Sequence, residues 1–255
     1  MRSPLLRLLS VVLLLLPCFA EASAADPNQK IALDPAVSLN GYAALVGQGF
    51  EHIRNELRIL AATENAASGD WDGIKGPLAI LAKGTPTSAT VWFARPDGSY
   101  FTVEGGLTGQ NLKNRDYFPK LMAGDEVAGD LVVSKSTGKR STVVAVPVMA
   151  GNRIIGALGV AVAMEKVAAQ IEAQLGFPQD VMFYALDGSG QIALHRESKL
   201  LFEFATELGS PTLNEAVKKM LAEPEGIVHY EFEGAQRTAI FKRSDKTGWV
   251  FALRW

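Results

Sequence analysis

The sequence predicts an α+β protein: a long N-terminal helix followed by two modules, each a roughly five-stranded antiparallel sheet flanked by helices. Three observations predict it. Apolar residues between Tyr42 and Leu60 recur at spacings of three and four, the period of a helix with one buried face. From Thr87 onward the pattern shortens to strand-length apolar runs separated by Gly, Asp and Ser. The stretch from Val181 to His195 then restates the strand, Asp-Gly turn and strand of residues 90–103, so the second half repeats the first in outline with little identity. Antiparallel sheets with helices on one face are the economical layering for such a pattern.

The 255 residues are 48% hydrophobic and 20% charged, and 25 Lys and Arg nearly balance 27 Asp and Glu. This excludes a disordered tail, a collagen-like chain and a coiled-coil rod, and leaves one large domain or two small ones. No basic run of the required density appears, so nucleic acid is not an expected partner. Arg2 and Arg7 precede the apolar run Leu8 to Leu16, and Ala22-Ser23-Ala24 offers a small-residue cleavage site. These are the parts of a secretory signal peptide, whose cleavage after Ala24 would leave residues 25–255 secreted or periplasmic. Two rivals stand: an uncleaved N-terminal anchor, for which the run is short, and a lipid anchor on Cys18, where Pro17 occupies a small-residue position. Cys18 is the only cysteine, so the mature chain would have no disulfide, thiol nucleophile or thiolate metal site. After residue 24 no stretch approaches about 18 consecutive apolar residues, so no second membrane segment is expected.

Asp26 to Pro35 is a polar lead. Tyr42, Leu45, Val46, Phe50, Ile53, Leu57 and Leu60 then share one helix face, with Asp34-Pro35 or Ser38 as the start and Ser68-Gly69-Asp70 as the stop. Gly47 and Gly49 each weaken that helix by about 1 kcal/mol relative to Ala, so packing must hold it. A shorter helix runs from Trp71 to Leu81. Thr90 to Ala94 and Tyr100 to Val103 are strands joined by Pro96-Asp97-Gly98-Ser99. Arg115 to Met122 reads as a short helix, Leu131 to Ser134, Thr142 to Met149 and Arg153 to Val162 as strands, and Met164 to Leu175 as a helix ended by Gly176. In the second half, Val181 to Leu186 and Gln191 to His195 flank the turn Asp187-Gly188-Ser189-Gly190. A helix covers Thr212 to Leu221, and strands lie near Gly226 to Phe232, Thr238 to Arg243 and Trp249 to Leu253. The chain is thus expected to divide into a signal peptide (1–24), a lead and long helix (25–82), a first sheet module (83–175) and a second (176–255).

A set of short motifs carries a family resemblance. Pro96-Asp97-Gly98 follows a strand, and Asn114-Arg115-Asp116-Tyr117-Phe118 follows in turn. Ser134-Lys135-Ser136-Thr137-Gly138-Lys139, Val144-Ala145-Val146-Pro147-Val148 and Ile155-Gly156-Ala157-Leu158-Gly159-Val160-Ala161-Val162 complete the set. In order and spacing the chain resembles the double Cache, or PDC, extracytoplasmic sensor domains of bacterial chemoreceptors and sensor histidine kinases. The resemblance implies two PAS-like modules along a shared long helix, with ligand in the membrane-distal module, here the first. Relatives flank this unit with transmembrane helices and an output domain. This sequence stops at Trp255 after the last expected strand, so a stand-alone, exported version without its own output is the expectation.

The resemblance also assigns candidate ligand residues. Arg115 falls on the arginine that pairs with a ligand carboxylate in amino-acid binders, a task suited to a planar guanidinium. The plainer reading is a solvated or salt-bridged arginine at a helix start. Tyr117 and Phe118 match the aromatic pair after that arginine, with core packing as the alternative role. Trp92 and Tyr100 sit on the first hairpin, where one face is pocket or core. Two positions depart from the amino-acid pattern: Gln110 stands where a tyrosine is expected, and Ala161 where an aspartate would clamp the ligand ammonium. A carboxylate, another small organic anion or a neutral ligand therefore fits better than an α-amino acid. Lys135, Lys139 and Arg140 bracket a turn and would add positive potential near the pocket, or simply form a solvated hairpin.

Enzyme signals are poor. His52, His195 and His229 lack a second histidine at metal-ligand spacing, and neither a nucleophile elbow nor a phosphate loop is present. Asp70-Trp71-Asp72-Gly73 echoes the start of a calcium loop without its later ligands and reads as a capped turn. His195, beside Arg196-Glu197, reads as a strand-end surface residue. No cofactor or metal is expected. The sequence supports a small-ligand sensor module that leaves its ligand unchanged and reports to a membrane receptor or kinase partner. A protein-interaction module with a vestigial pocket is the alternative.

Overall fold

The computed structural model describes residues 34–255, which form one compact unit. The signal peptide, its cleavage site and Cys18 lie outside the described residues. Helix α1 (Pro35–Ala61) starts where Asp34 accepts a hydrogen bond from the Ala36 amide at 2.7 Å and Pro35 takes the first helical position. Its buried stripe is Leu39, Tyr42, Val46, Phe50, Ile53 and Leu57. The helix ends at Ala61, short of the expected stop, because the Thr63 hydroxyl caps a separate one-turn helix, α2 (Glu64–Ser68), by accepting from the Ala66 amide. Gly69, with φ 68°, ends that turn. Helix α3 (Trp71–Gly84) is capped by Asp70 and stacks Trp71 on Phe101 with ring centroids 5.0 Å apart.

Six strands build the first sheet: β1 (Ser88–Ala94), β2 (Ser99–Thr102), β3 (Gly106–Asn111), β4 (Val127–Val133), β5 (Arg140–Ala150) and β6 (Arg153–Ala163). All pairings are antiparallel, in the order β3-β2-β1-β6-β5-β4. Edge strand β3 was not expected, since two glycines and the lack of apolar alternation hide it; backbone pairing with β2 defines it. Strand β4 begins four residues before the expected Leu131 because a bulge at Gly129, with φ 111°, interrupts its alternation. Helix α4 (Tyr117–Ala123) lies between β3 and β4, and α5 (Met164–Leu175) leads to the second sheet.

The second sheet has five strands: β7 (Met182–Leu186), β8 (Ile192–His195), β9 (Glu225–Phe232), β10 (Ala235–Arg243) and β11 (Val250–Arg254), ordered β8-β7-β11-β10-β9. Without β3, the first sheet has the same order, so the internal repeat is one of topology. The opening hairpins even share their turn chemistry: Asp97 Oδ1 accepts from the Ser99 amide, and Asp187 Oδ1 from the Ser189 amide, each at 2.9 Å. Helix α6 (Pro211–Ala222) crosses between β8 and β9.

Alternation along the strands gives each sheet two buried faces. Val91, Phe93, Val144 and Leu158 of the first sheet, and Phe183, Phe251 and Leu253 of the second, join the α1 stripe in one continuous core. Tyr42 meets Phe183 and Phe251 at 5.5 and 5.1 Å, and Phe50 meets Trp249 edge-on at 5.6 Å. The opposite faces pack on the crossover helices, Trp92, Ala94 and Ala157 against α4 and Tyr184, Leu186 and Ala252 against α6. Each sheet and its crossover helix thus enclose an interior of their own. Among the described residues, no helix is long and apolar enough to cross a membrane.

Candidate functional site

In the first sheet the enclosed interior is filled by the protein itself. Trp92, Tyr100, Tyr117, Phe118 and Leu121 are all buried, and the Trp92 and Tyr117 rings lie 6.4 Å apart. Burial pushes the Tyr117 hydroxyl well above its ordinary pKa, so it stays protonated. Gly159, opposite Trp92 on the neighbouring strand, makes room for the indole: a Cβ there would stand 2.2 Å from Trp92 Cζ2. Gly159→Ala is expected to cost about 1–3 kcal/mol by overpacking, and less than that when introduced into Trp92→Leu, where the indole is gone. Urea unfolding of the single and double variants measures this; an unchanged midpoint for Gly159→Ala would contradict the packing.

Arg115 sits at the edge of that interior, in the turn that launches α4. Its amide donates to Leu112 O and its carbonyl accepts from the Phe118 amide, each at 2.9 Å. The half-buried guanidinium donates from Nη2 to Val133 O at 2.6 Å and makes no ion pair among the described residues. Lys135 ties the same loop to the β4–β5 turn, donating to Asn111 O at 2.5 Å and Asn114 Oδ1 at 2.7 Å. Desolvation, and then the nearby Arg115 charge, lower the Lys135 pKa.

Arg115 and Tyr117 also line a cleft of 540 Å³ that opens towards the second sheet, where Asp187, Gly188, Gln191 and Thr247 form the facing wall. Lys120 and Asp130 in this cleft pair with each other at 3.1 Å, Asp187 Oδ1 is occupied by its own turn, and the exposed Asp116 beside Arg115 is the remaining carboxylate of the lining. The Arg115 fork is therefore the cation in this cleft with donors to spare, and its chemistry suits a carboxylate. The cleft floor is a buried contact between the two sheets: Trp249 Nε1 donates to Gly129 O at 3.1 Å.

The remaining candidates separate. Ala161 shares the Trp92 face of the first sheet, with Thr90 and Val143 as cross-strand neighbours, so its methyl belongs to the filled interior. Gln110 is exposed on β3, in a shallow depression with Asn111 and Lys135 on the other side of the Arg115 loop. His195 corrects its sequence reading as a surface residue: it is only 7% exposed, and its Nδ1 accepts from the Glu197 amide at 2.9 Å. Sequence reasoning also missed the second wall of the cleft, for which no local motif exists; Asp187 and Gly188 read there simply as a hairpin turn.

Comparison with known proteins places this fold. The ligand-binding domain of the Pseudomonas aeruginosa PAO1 amino-acid chemoreceptor PctB, solved with L-Gln, has a TM-score of 0.69 at 15% identity, over 87% of this chain and 90% of that one. The sensor domain of the V. cholerae histidine kinase DctB has a TM-score of 0.64 at 13% identity, over 86% and 94%. An extracellular ligand-binding receptor from Desulfohalobium retbaense DSM5692 has a TM-score of 0.71 at 13% identity over 88% of this chain, which spans 41% of that receptor's length. At such identities the likeness is one of fold. Among curated protein sequences none matches significantly. The family model of the Cache domain matches residues 43–254, from the first turns of α1 to the end of β11, and the chain belongs to the Cache domain family.

Proposed function

We propose that the protein is an extracytoplasmic sensor module that binds a small organic anion at Arg115 and releases it chemically unchanged. The observation that carries this reading is the Arg115 guanidinium, half-buried, lining the 540 Å³ cleft and in no ion pair among the described residues. Tyr117 forms the wall behind it, with Phe118, Trp92 and Tyr100 as the packed layer beneath. The PctB domain was solved with amino acids, L-Gln and L-Arg. Here Ala161 offers no carboxylate to an ammonium, which favours carboxylates without an α-amino group. Export by cleavage after Ala24 and reporting to a membrane receptor or kinase complete the proposal.

The test is a thermal-shift screen of small mono- and dicarboxylates, amines and amino acids, repeated on Arg115→Ala. A carboxylate is expected to raise the melting temperature, and Arg115→Ala to weaken its binding by about tenfold or more, the worth of a charge-assisted hydrogen-bond pair. Dicarboxylate shifts that survive the substitution would remove Arg115 from the site. A second reading rests on the packed interior: Trp92, Tyr117 and Phe118 are buried together in it, as in a module that docks on a partner protein and has lost its pocket. Absence of any carboxylate-dependent shift favours that reading.

A further inference from the structure

The interior between the second sheet and α6, unlike that of the first, is not filled. A cavity of 50 Å³ remains, walled mostly by apolar side chains such as Leu186, Ile192, Leu213 and Val217. Four polar side chains converge on it from different strands: Tyr184 on β7, His195 on β8, Tyr230 on β9 and Arg254 on β11. The two tyrosine hydroxyls are 3.3 Å apart, and the His195 ring stacks on Tyr184 with centroids 6.1 Å apart. Because His195 Nδ1 accepts from the Glu197 amide, the neutral ring carries its proton on Nε2.

Arg254 is the unexplained member. Its Nη1 is buried without a hydrogen-bond partner, and among the described residues the guanidinium makes no ion pair. Two carboxylates border the cavity, but Glu197 is held by Lys199 at 2.9 Å and Glu233 is exposed at the mouth. Arg254 as a whole is part-exposed, but a buried N–H without a partner is uncommon, and a missing anion or water is the usual explanation. Glu233 takes φ 53° and Gly234 φ 72° as the two-residue turn that joins β9 to β10 beside the cavity.

We propose that this cavity is a second ligand site, taking a two- or three-carbon monocarboxylate whose oxygens accept from Arg254, Tyr184, Tyr230 and His195 and whose alkyl end lies on the apolar wall. Size bounds the class: benzene fits an engineered void of about 150 Å³, so 50 Å³ excludes an aromatic acid and limits the ligand to the smallest carboxylates. The site shares no residue with the Arg115 cleft, so either can fail without the other.

Isothermal titration of the full chain with acetate, propionate and benzoate tests it. Acetate or propionate is expected to keep a binding event in Arg115→Ala that the wild-type chain also shows, benzoate not to bind at this cavity, and Arg254→Gln to weaken that event by about tenfold or more. Tyr230→Phe removes one donor and almost no volume, so it serves as the test if Arg254→Gln does not fold, with a several-fold loss expected. No heat with acetate or propionate, as for a cavity holding water alone, overturns the proposal. So does binding that Arg254→Gln or Tyr230→Phe leaves unchanged, or that Arg115→Ala abolishes.

Discussion

Trp249→Ala is expected to lower the unfolding free energy by about 3–5 kcal/mol, the usual range for removing a large aromatic from a core. The side chain is 1% exposed, meets Phe50 of α1 edge-on and packs against Phe251 at 6.2 Å. Its Nε1–H also provides the buried bond from the last strand region of the second sheet to Gly129 O in the first. Trp249→Phe keeps most of the ring contact but leaves that carbonyl without its donor, at an expected cost of about 1–3 kcal/mol. Gly129 cannot readily move to compensate, since a Cβ there would already stand 3.2 Å from Thr247 O and Trp249 Nε1. Equilibrium urea unfolding measures both variants. A loss below about 1 kcal/mol for Trp249→Ala would mean that the two sheets do not depend on this contact.

Stability is expected to fall by about 2 kcal/mol between pH 7.5 and pH 5, and His195 is the cause. Burial lowers its pKa to about 4, with the Glu197 charge opposing the shift only in part. In the unfolded chain the ring protonates near pH 6.5, whereas in the folded chain it stays neutral until about pH 4. Between those values the unfolded state binds the additional proton, so stability drops as pH falls through this window and this group adds no further loss below it. The lowered carboxylates Glu51, Asp97 and Glu197 act in the same direction but only once pH approaches the usual carboxylate range. The interval from pH 7.5 to 5 therefore isolates the histidine. His195→Gln should flatten the stability profile there; an unaltered slope would show that the ring is not held neutral.

What the sequence revealed depended on how local each signal was. Helix α5 has the expected bounds, Met164 to Leu175, because its stop is written in Gly176, which takes φ 55°. Helix α1 starts at Asp34-Pro35 as read, yet ends early, since the competing cap at Thr63 looks like any polar residue in a helical run. Strand β3 was hidden because an exposed edge needs no apolar alternation, only a backbone partner. For the candidate site, Arg115, Tyr117 and Phe118 were legible through the family resemblance, as three neighbours in one motif. That Gly159 yields its place to the Trp92 ring, and that Asp187 and Thr247 face Arg115, were not legible, because those partners lie some 70 to 130 residues away in the chain.

By itself, then, the sequence determined most of the secondary structure, the repeated order of its two halves and, through its motifs, the family to which they belong, since these signals act between near neighbours. Tertiary structure alone decided which interior is filled and which is open. In the first sheet a glycine opposite Trp92 lets an indole occupy the space; in the second, Arg254, His195 and two tyrosines surround a cavity that no side chain enters. Both outcomes depend on packing volume and on the pairing of buried polar groups across strands, and neither quantity exists until the strands are side by side.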